Sequence, residues 1–440
     1  MSTATQLFLQ VLLTVLAANA YHMVAFSGWF VILLLAMIVI ANGLPLFYGK
    51  DMPTFRLRIC AHGHRCLKAF AISLPFTIAI QIPLLIFFAE GSWLSWLLSV
   101  AICVIVEAVL FWNGMICVYA SSVQLGIRHR ALGVLLGLVP IANLIMLFQI
   151  LKITGDEIDF EVEKFRLEEG RKDQFLCKTK YPILLVHGIC YRDNPYLNYW
   201  GRIPKTLEKN GAVVYYGEHP SALSIADSAQ ILADRIALIV RNSGCEKVNI
   251  IAHSKGGLDC RYAMDQLGIS QYVASLTTIN TPHRGCVFAD ELLDKVPTKI
   301  QDKIVSTYNN TLRQLGDPNP DFMAAVQDLT SSHCQIFDAQ TSLPEGVFCQ
   351  SVGSLLHNRA IGGFPFNLTY RYVKNFDGPN DGLVGEDSFA WGERYRLITI
   401  PGKRGVSHMD ITDLPMENIP GFDVREFYVQ LVSDLKSRGL

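Results

Sequence analysis

The sequence predicts an α/β domain with a mainly parallel sheet, preceded by an all-α membrane region of four to five helices. Three observations predict this. Charge is segregated: only eight of the 38 basic and three of the 39 acidic residues fall within residues 1–152. The same stretch carries apolar runs near the roughly 20 residues that a spanning helix needs. Beyond it, short runs typical of buried strands alternate with helical patterns, as in a parallel sheet covered by helices on both faces. A chain of 440 residues suits two or three domains. The expected boundaries are a membrane region 1–152, a juxtamembrane linker 153–180 and an α/β domain 181–440. A net charge of −1 gives no concentrated basic surface, which excludes nucleic acid as a partner. A hydrophobic fraction of 50% excludes disorder.

The apolar runs in order are 5–24, 27–48, 69–89, 93–119 and 131–151. The first is the weakest. Ala18-Asn19-Ala20 has the small-x-small form of a signal-peptidase site. No Lys or Arg precedes the run, however, so an uncleaved helix is the preferred reading. Lys50, Arg56, Arg58, Arg65 and Lys68 lie between the second and third runs, and Arg128 and Arg130 between the fourth and fifth. The connections at 21–26 and Glu90-Gly91 carry no basic residue. Basic loops stay cytoplasmic, so five spans would place the N-terminus inside and residues 154–440 on the exoplasmic side. Glu107, in the middle of the fourth run, is a functional candidate by its depth; the competing expectation is a protonated carboxyl bonded to a neighbouring helix. Cys60, His62, His64 and Cys66 alternate as metal-type donors, but they lack the Cys-x2–4-Cys and His-x3–5-His spacing of structural zinc sites. No metal is expected there.

In the α/β part, ILLV at 183–186 and VVYY at 213–216 read as strands, and 225–242 as an amphipathic helix. VNIIA at 248–252 and LTTI at 276–279 follow, with later strands at 347–352 and 396–400 and a closing helix at 423–437. Ala252-His253-Ser254-Lys255-Gly256-Gly257 joins a strand to a helix. This is a nucleophile elbow, in which small neighbours let the chain turn sharply enough to expose a serine hydroxyl. Val186-His187-Gly188-Ile189 ends the first strand, where the second half of an oxyanion hole belongs. The backbone N–H groups of Ile189 and Lys255 are the expected donors, and His187 would shape the loop. An acid and then a base should follow the serine in the chain. Asp381 in NDGLV and His408 in GVSH fit that order. Asp377 and Asp387 are rival acids. His253 abuts the serine, and His283 and His357 precede the acid, so they are weaker bases.

Taken in order, VHG, AHSKGG, TINTPHRG, NDGLV and SH resemble bacterial lipases and esterases of the α/β-hydrolase family over most of residues 181–440. The resemblance implies a carboxylic-ester hydrolase acting on lipid esters without a cofactor, with Ser254, Asp381 and His408 as its triad. It also implies a mobile lid at about 290–340. Asp410, two residues after His408, matches a calcium-ligand position of some relatives, but no partner aspartate is identifiable. Ala252 in place of the first glycine and the multi-span front end depart from the family pattern. Two other readings stay open. One is an α/β-hydrolase acting on another acyl bond or as an acyltransferase; the other is a membrane scaffold or transporter with a degenerate hydrolase domain. Seven cysteines lie at 177, 190, 245, 260, 286, 334 and 349, an odd number that leaves at least one thiol without an intrachain partner. Cys334 and Cys349 are the pair that could bridge a loop.

Overall fold

The computed structural model describes residues 3–21, 27–47, 52–88, 93–189, 198–220, 222–314, 316–317, 319–358 and 366–440. Residues 22–26, Lys50, Glu90, Gly91 and Cys190 therefore lie outside the described residues. The chain forms two compact units, Met1–Gly170 and Arg171–Leu440.

Among the described residues the first unit is helical: α1 (Thr3–Ala18), α2 (Trp29–Phe47), α3 (Phe55–Phe88), α4 (Trp93–Ser121), α5 (Gly126–Leu135) and α6 (Ala142–Arg171, its last residue in the second unit). Two of these, over Phe55–Ile86 and Trp93–Ser121, are long and apolar enough to cross a membrane; Ala4–Ala18 and Trp29–Gly43 are shorter apolar helices. The basic stretch expected as a loop up to residue 68 is helical from Phe55. The Thr54 hydroxyl accepts the Leu57 N–H at 3.1 Å and starts the helix there. Glu107 is buried and accepts hydrogen bonds from Ser73 and Thr77, both at 2.9 Å. It is thereby tied to a neighbouring helix. The Cys/His run lies on α3 and serves helix packing: His64 is hydrogen-bonded to Thr154 at 2.9 Å, and His62 to Asn113 at 3.4 Å.

The expected fifth span, 131–151, is not one helix. Helix α5 ends at Leu135 and α6 begins at Ala142. Between them lie Gly137 and Pro140, and Ile141 adopts φ 68°, a left-handed turn that reverses the chain. The two helices form a hairpin. Arg130 donates to the Tyr119 and Ser122 carbonyls. A Cβ at Gly133 would meet the Tyr119 hydroxyl, so a larger residue there would push that side chain aside. Leu147 and Ile150 of α6 pack with Leu67 and Val118. Glu157 accepts from Arg56 at 2.7 Å and from Ser122 at 2.6 Å. Helix α6 therefore runs back toward the end of the unit where α4 stops and α3 starts.

The second unit holds a six-stranded sheet in the order β2-β1-β3-β4-β5-β6, every pairing parallel. Its elements are β1 (Ile183–Val186), α7 (Ile203–Lys209), β2 (Val214–Tyr216), α8 (Ile225–Ser243), β3 (Val248–His253), α9 (Lys255–Gln266) and β4 (Val273–Ile279). Helices α10 (Val287–Lys295), α11 (Thr298–Gln314), α12 (Phe322–Gln327) and α13 (Ser331–Gln340) follow. The chain ends with β5 (Phe348–Ser354), α14 (Phe366–Asp377), β6 (Arg394–Ile398) and α15 (Val424–Ser437). Strands β1, β3 and β4 are buried throughout, which explains their continuous apolar sequence. One sheet face packs on a cluster that includes Trp200, Ile203, Phe427 and Tyr428. The other packs on Leu232, Ile236, Ala263 and Met264 of α8 and α9. The Ser224 hydroxyl accepts the Asp227 N–H to cap α8, and Gly244 closes that helix at φ 67°. The observed sheet is the α/β architecture expected, with each expected strand present.

Candidate active site

Strand order reverses between β1 and β3: β1 leads outward to β2, whereas β3 leads to β4, β5 and β6. In a sheet of this kind, ligands bind beyond the strand carboxyl ends at such a switch point. Ile189 follows β1 there and Ser254 follows β3. Ser254 caps α9 at φ 54°, ψ −132°, a conformation that costs roughly 1–3 kcal/mol for a residue with a side chain. Packing holds it in place. The Ser254 N–H donates to the Ile279 carbonyl at 2.9 Å, and the Thr281 hydroxyl donates to the Ser254 carbonyl at 2.8 Å. A Cβ at Gly256 would collide with the His187 carbonyl oxygen, so the glycine lets β1 and the elbow meet. The Lys255 side chain turns away into the core and donates to Asp259 at 2.7 Å and Ser228 at 3.0 Å. Its backbone N–H remains at the head of α9. Burial lifts the Asp259 carboxyl to about 7 against the pull of Lys255.

Asp381 is wholly buried and sits among four donors. Leu383 and Val384 N–H groups reach Oδ1 at 2.9 and 2.8 Å, while Asn280 Nδ2 and His408 Nδ1 reach Oδ2 at 2.7 and 2.6 Å. The bond to Asp381 through Nδ1 leaves His408 Nε2 for other chemistry. Ser254 and His408 line one cavity of about 630 Å³, together with Ile189. Among the described residues the Ser254 hydroxyl makes no hydrogen bond; such contacts commonly tighten only when substrate is bound. The rival acids stand elsewhere: Asp377 accepts the Val287 and Phe288 N–H groups, and the Asp387 backbone carbonyl accepts from Arg284. Among the rival histidines, His253 is hydrogen-bonded to the Tyr199 hydroxyl at 2.5 Å, and His283 to Arg261 and Thr278. Burial pushes both well below the usual histidine range. His357 is exposed and bonded to the Gly402 carbonyl at 3.0 Å. His187 is hydrogen-bonded to the Gly188 carbonyl and stacks on His219 at 4.1 Å.

Helices from the 290–340 stretch wall the cavity through Leu292, Ile304, Tyr308, Met323 and Val326. Two residues escaped the sequence reading. Asn280 carries the signal of an asparagine at a strand end and has φ 47°; Tyr199, also lining the cavity, carries none. Asp410 accepts the Ser407 N–H at 2.9 Å and pairs with Arg404 at 3.2 Å. The bridge considered between Cys334 and Cys349 is absent: both are free and buried. Cys334 packs with Ile225 and Leu258, whereas Cys349 belongs to the cluster under the sheet.

The parallel sheet and the serine elbow at its switch point give the second unit the α/β-hydrolase fold. No family model matches the chain. It is similar to a curated triacylglycerol lipase of Pseudarthrobacter phenanthrenivorans, 31% identical over 41% of this chain and 62% of that protein. It is also similar to triacylglycerol lipase 2 of Saccharomyces cerevisiae, 29% identical over 56% of this chain and 77% of that protein. The chain thus spans about three fifths of the length of the first of these relatives. Among solved structures, the mature form of a Bacillus licheniformis lipase aligns with 58% of this chain and 92% of its own, at 22% identity and a TM-score of 0.44.

Proposed function

We propose that the second unit is a serine hydrolase cleaving carboxylic esters of lipids, with Ser254 as nucleophile, His408 as base and Asp381 as its orienting carboxylate. The observation that carries this reading is the shared cavity: Ser254 and the Asp381-bound His408 open onto a chamber lined mainly by apolar side chains. The Ser254 hydroxyl attacks the acyl carbon as its proton passes to His408 Nε2. The Ile189 and Lys255 N–H groups receive the oxyanion. His408 then protonates the departing alcohol, and water releases the acid by the reverse sequence. The names of the curated relatives support an acylglycerol substrate. The apolar wall from 290–340 supports a lid, because a cavity of this kind left open to water is a liability. A fluorophosphonate probe applied to the detergent-solubilised chain should modify Ser254 as its main site. Labelling that persists in Ser254→Ala would contradict the assignment.

We further propose that the second unit faces the cytoplasm. With four crossings rather than five, the basic residues near α3 and α5 set the same inside face. The α5–α6 hairpin enters the membrane from that face and returns to it. Its tip is apolar and open, with Leu138 95% and Ile141 73% exposed. The ten residues of α5 cover about 15 Å at 1.5 Å per residue, half of a core about 30 Å thick. This reverses the exoplasmic expectation, which counted 131–151 as a full span.

A further inference from the structure

A second cavity, of about 660 Å³, lies within the first unit, lined by parts of α1, α3 and α6. Its charges are basic on the α3 wall and mixed on the α6 wall. Arg65 and Lys68 stand on α3; Asp159 and Glu163, one turn apart, stand on α6 with Arg166. None of these five forms an ion pair with a described residue, although both signs line one space. The Arg65 guanidinium has a buried nitrogen, Nη1, with no hydrogen-bond partner. A buried donor left unpaired is destabilising, so this nitrogen takes its acceptor from outside the chain. The depth is also defined. On α3 the apolar run starts immediately after Lys68, which puts Arg65 and Lys68 at the level where headgroups meet hydrocarbon. Beside Leu7, which lines the cavity, α1 turns Phe8, Leu12 and Leu16 outward, 68%, 41% and 50% exposed.

We propose that this cavity binds the headgroup of a zwitterionic aminophospholipid. The phosphate lies against Arg65 and Lys68, the ammonium against Asp159 and Glu163, and the acyl chains run down α1 along Phe8 and Leu12. An anionic headgroup would bring no cation to Asp159 and Glu163, which have only Arg166 on their own wall. A choline headgroup has no N–H to donate to the α6 carboxylates. The inference rests on the membrane reading of α3 and α4, and it is independent of the ester chemistry.

The test is thermal unfolding of the full chain in neutral maltoside micelles, titrated separately with dioleoyl phosphatidylethanolamine, phosphatidylcholine and phosphatidylglycerol. A further arm uses soluble phosphoethanolamine. The ethanolamine lipid should raise Tm saturably by roughly 3–6 °C, as expected for a ligand well above its Kd, and by more than either other lipid. Arg65→Gln should remove most of that rise. Asp159→Asn with Glu163→Gln should equalise ethanolamine and glycerol lipids. Lys68→Gln and Glu163→Gln, both at exposed positions, serve if Arg65→Gln fails to fold. Ester hydrolysis by Glu163→Gln should match wild type, which separates failure here from failure of the hydrolase reading. Equal shifts from all three lipids, or an ethanolamine preference that survives these substitutions, would overturn the proposal. The same shift from phosphoethanolamine at equal concentration would overturn a lipid as the ligand.

Discussion

Asp381 shows what the site demands of single residues. Its four donors, at 2.6–2.9 Å, fix both carboxylate oxygens and therefore the tautomer of His408. Asp381→Asn would turn an amide donor toward one of these donors and misorient the imidazole. We expect kcat to fall by about 10⁴, with a folded protein by circular dichroism. A second residue-scale prediction concerns pH. Burial holds His219, His253 and His283 well below the ordinary histidine value. Below about pH 6.5 the unfolded chain takes up these protons and the folded chain does not. Stability is therefore lost as pH falls from about 6.5 toward the depressed folded values, by up to roughly 1.4 kcal/mol per pH unit for each histidine. Urea titrations of the solubilised chain at pH 7 and pH 5 should show a clear drop in midpoint. An unchanged midpoint would contradict neutral burial. Ser254, Asp381 and His408, the proposed triad, are singled out in the sequence by residue type and chain order, and the structure places Ser254 and His408 on one cavity. Asn280 is not singled out in this way, since its contribution depends on β4 delivering its side chain to a loop 101 residues later.

At the scale of elements, α11 is the informative one. Ile304 and Tyr308 line the cavity, yet each remains 45% exposed, so the helix covers the chamber without being locked into the core. Ile304→Asp should leave hydrolysis of a water-soluble short-chain ester within about twofold, as surface substitutions usually change stability by no more than ±0.5 kcal/mol. It should lower turnover of long-chain esters several-fold. Equal loss on both substrates would assign α11 a purely structural part. The strands and the elbow were legible because continuous burial imprints a continuous apolar run. The α5–α6 hairpin was not. Hydropathy sums over 131–151 as though the run were one helix, whereas the break depends on Ile141 taking φ 68° beside Pro140. The helical start of α3 was hidden for the converse reason: charge there suggested a loop, but Arg56 is satisfied by Glu157 and the Ser121 carbonyl.

At the scale of the whole molecule, the proposed four crossings put the second unit on the cytoplasmic side. Protease added outside intact cells or spheroplasts should leave residues 171–440 uncut, and permeabilisation should expose them. Digestion before permeabilisation would restore five crossings and an exoplasmic enzyme. The central claim is that a serine beneath an apolar chamber hydrolyses lipid esters. It is tested most directly by initial rates on a long-chain acylglycerol taken from below to above its solubility limit, with wild type and Ser254→Ala in parallel. The account predicts a sharp rise in wild-type rate once an interface forms, and a loss of about 10⁶ in the variant, as when such a nucleophile is removed. Smooth saturation on soluble esters with no response to the interface, or wild-type turnover by Ser254→Ala, would contradict it.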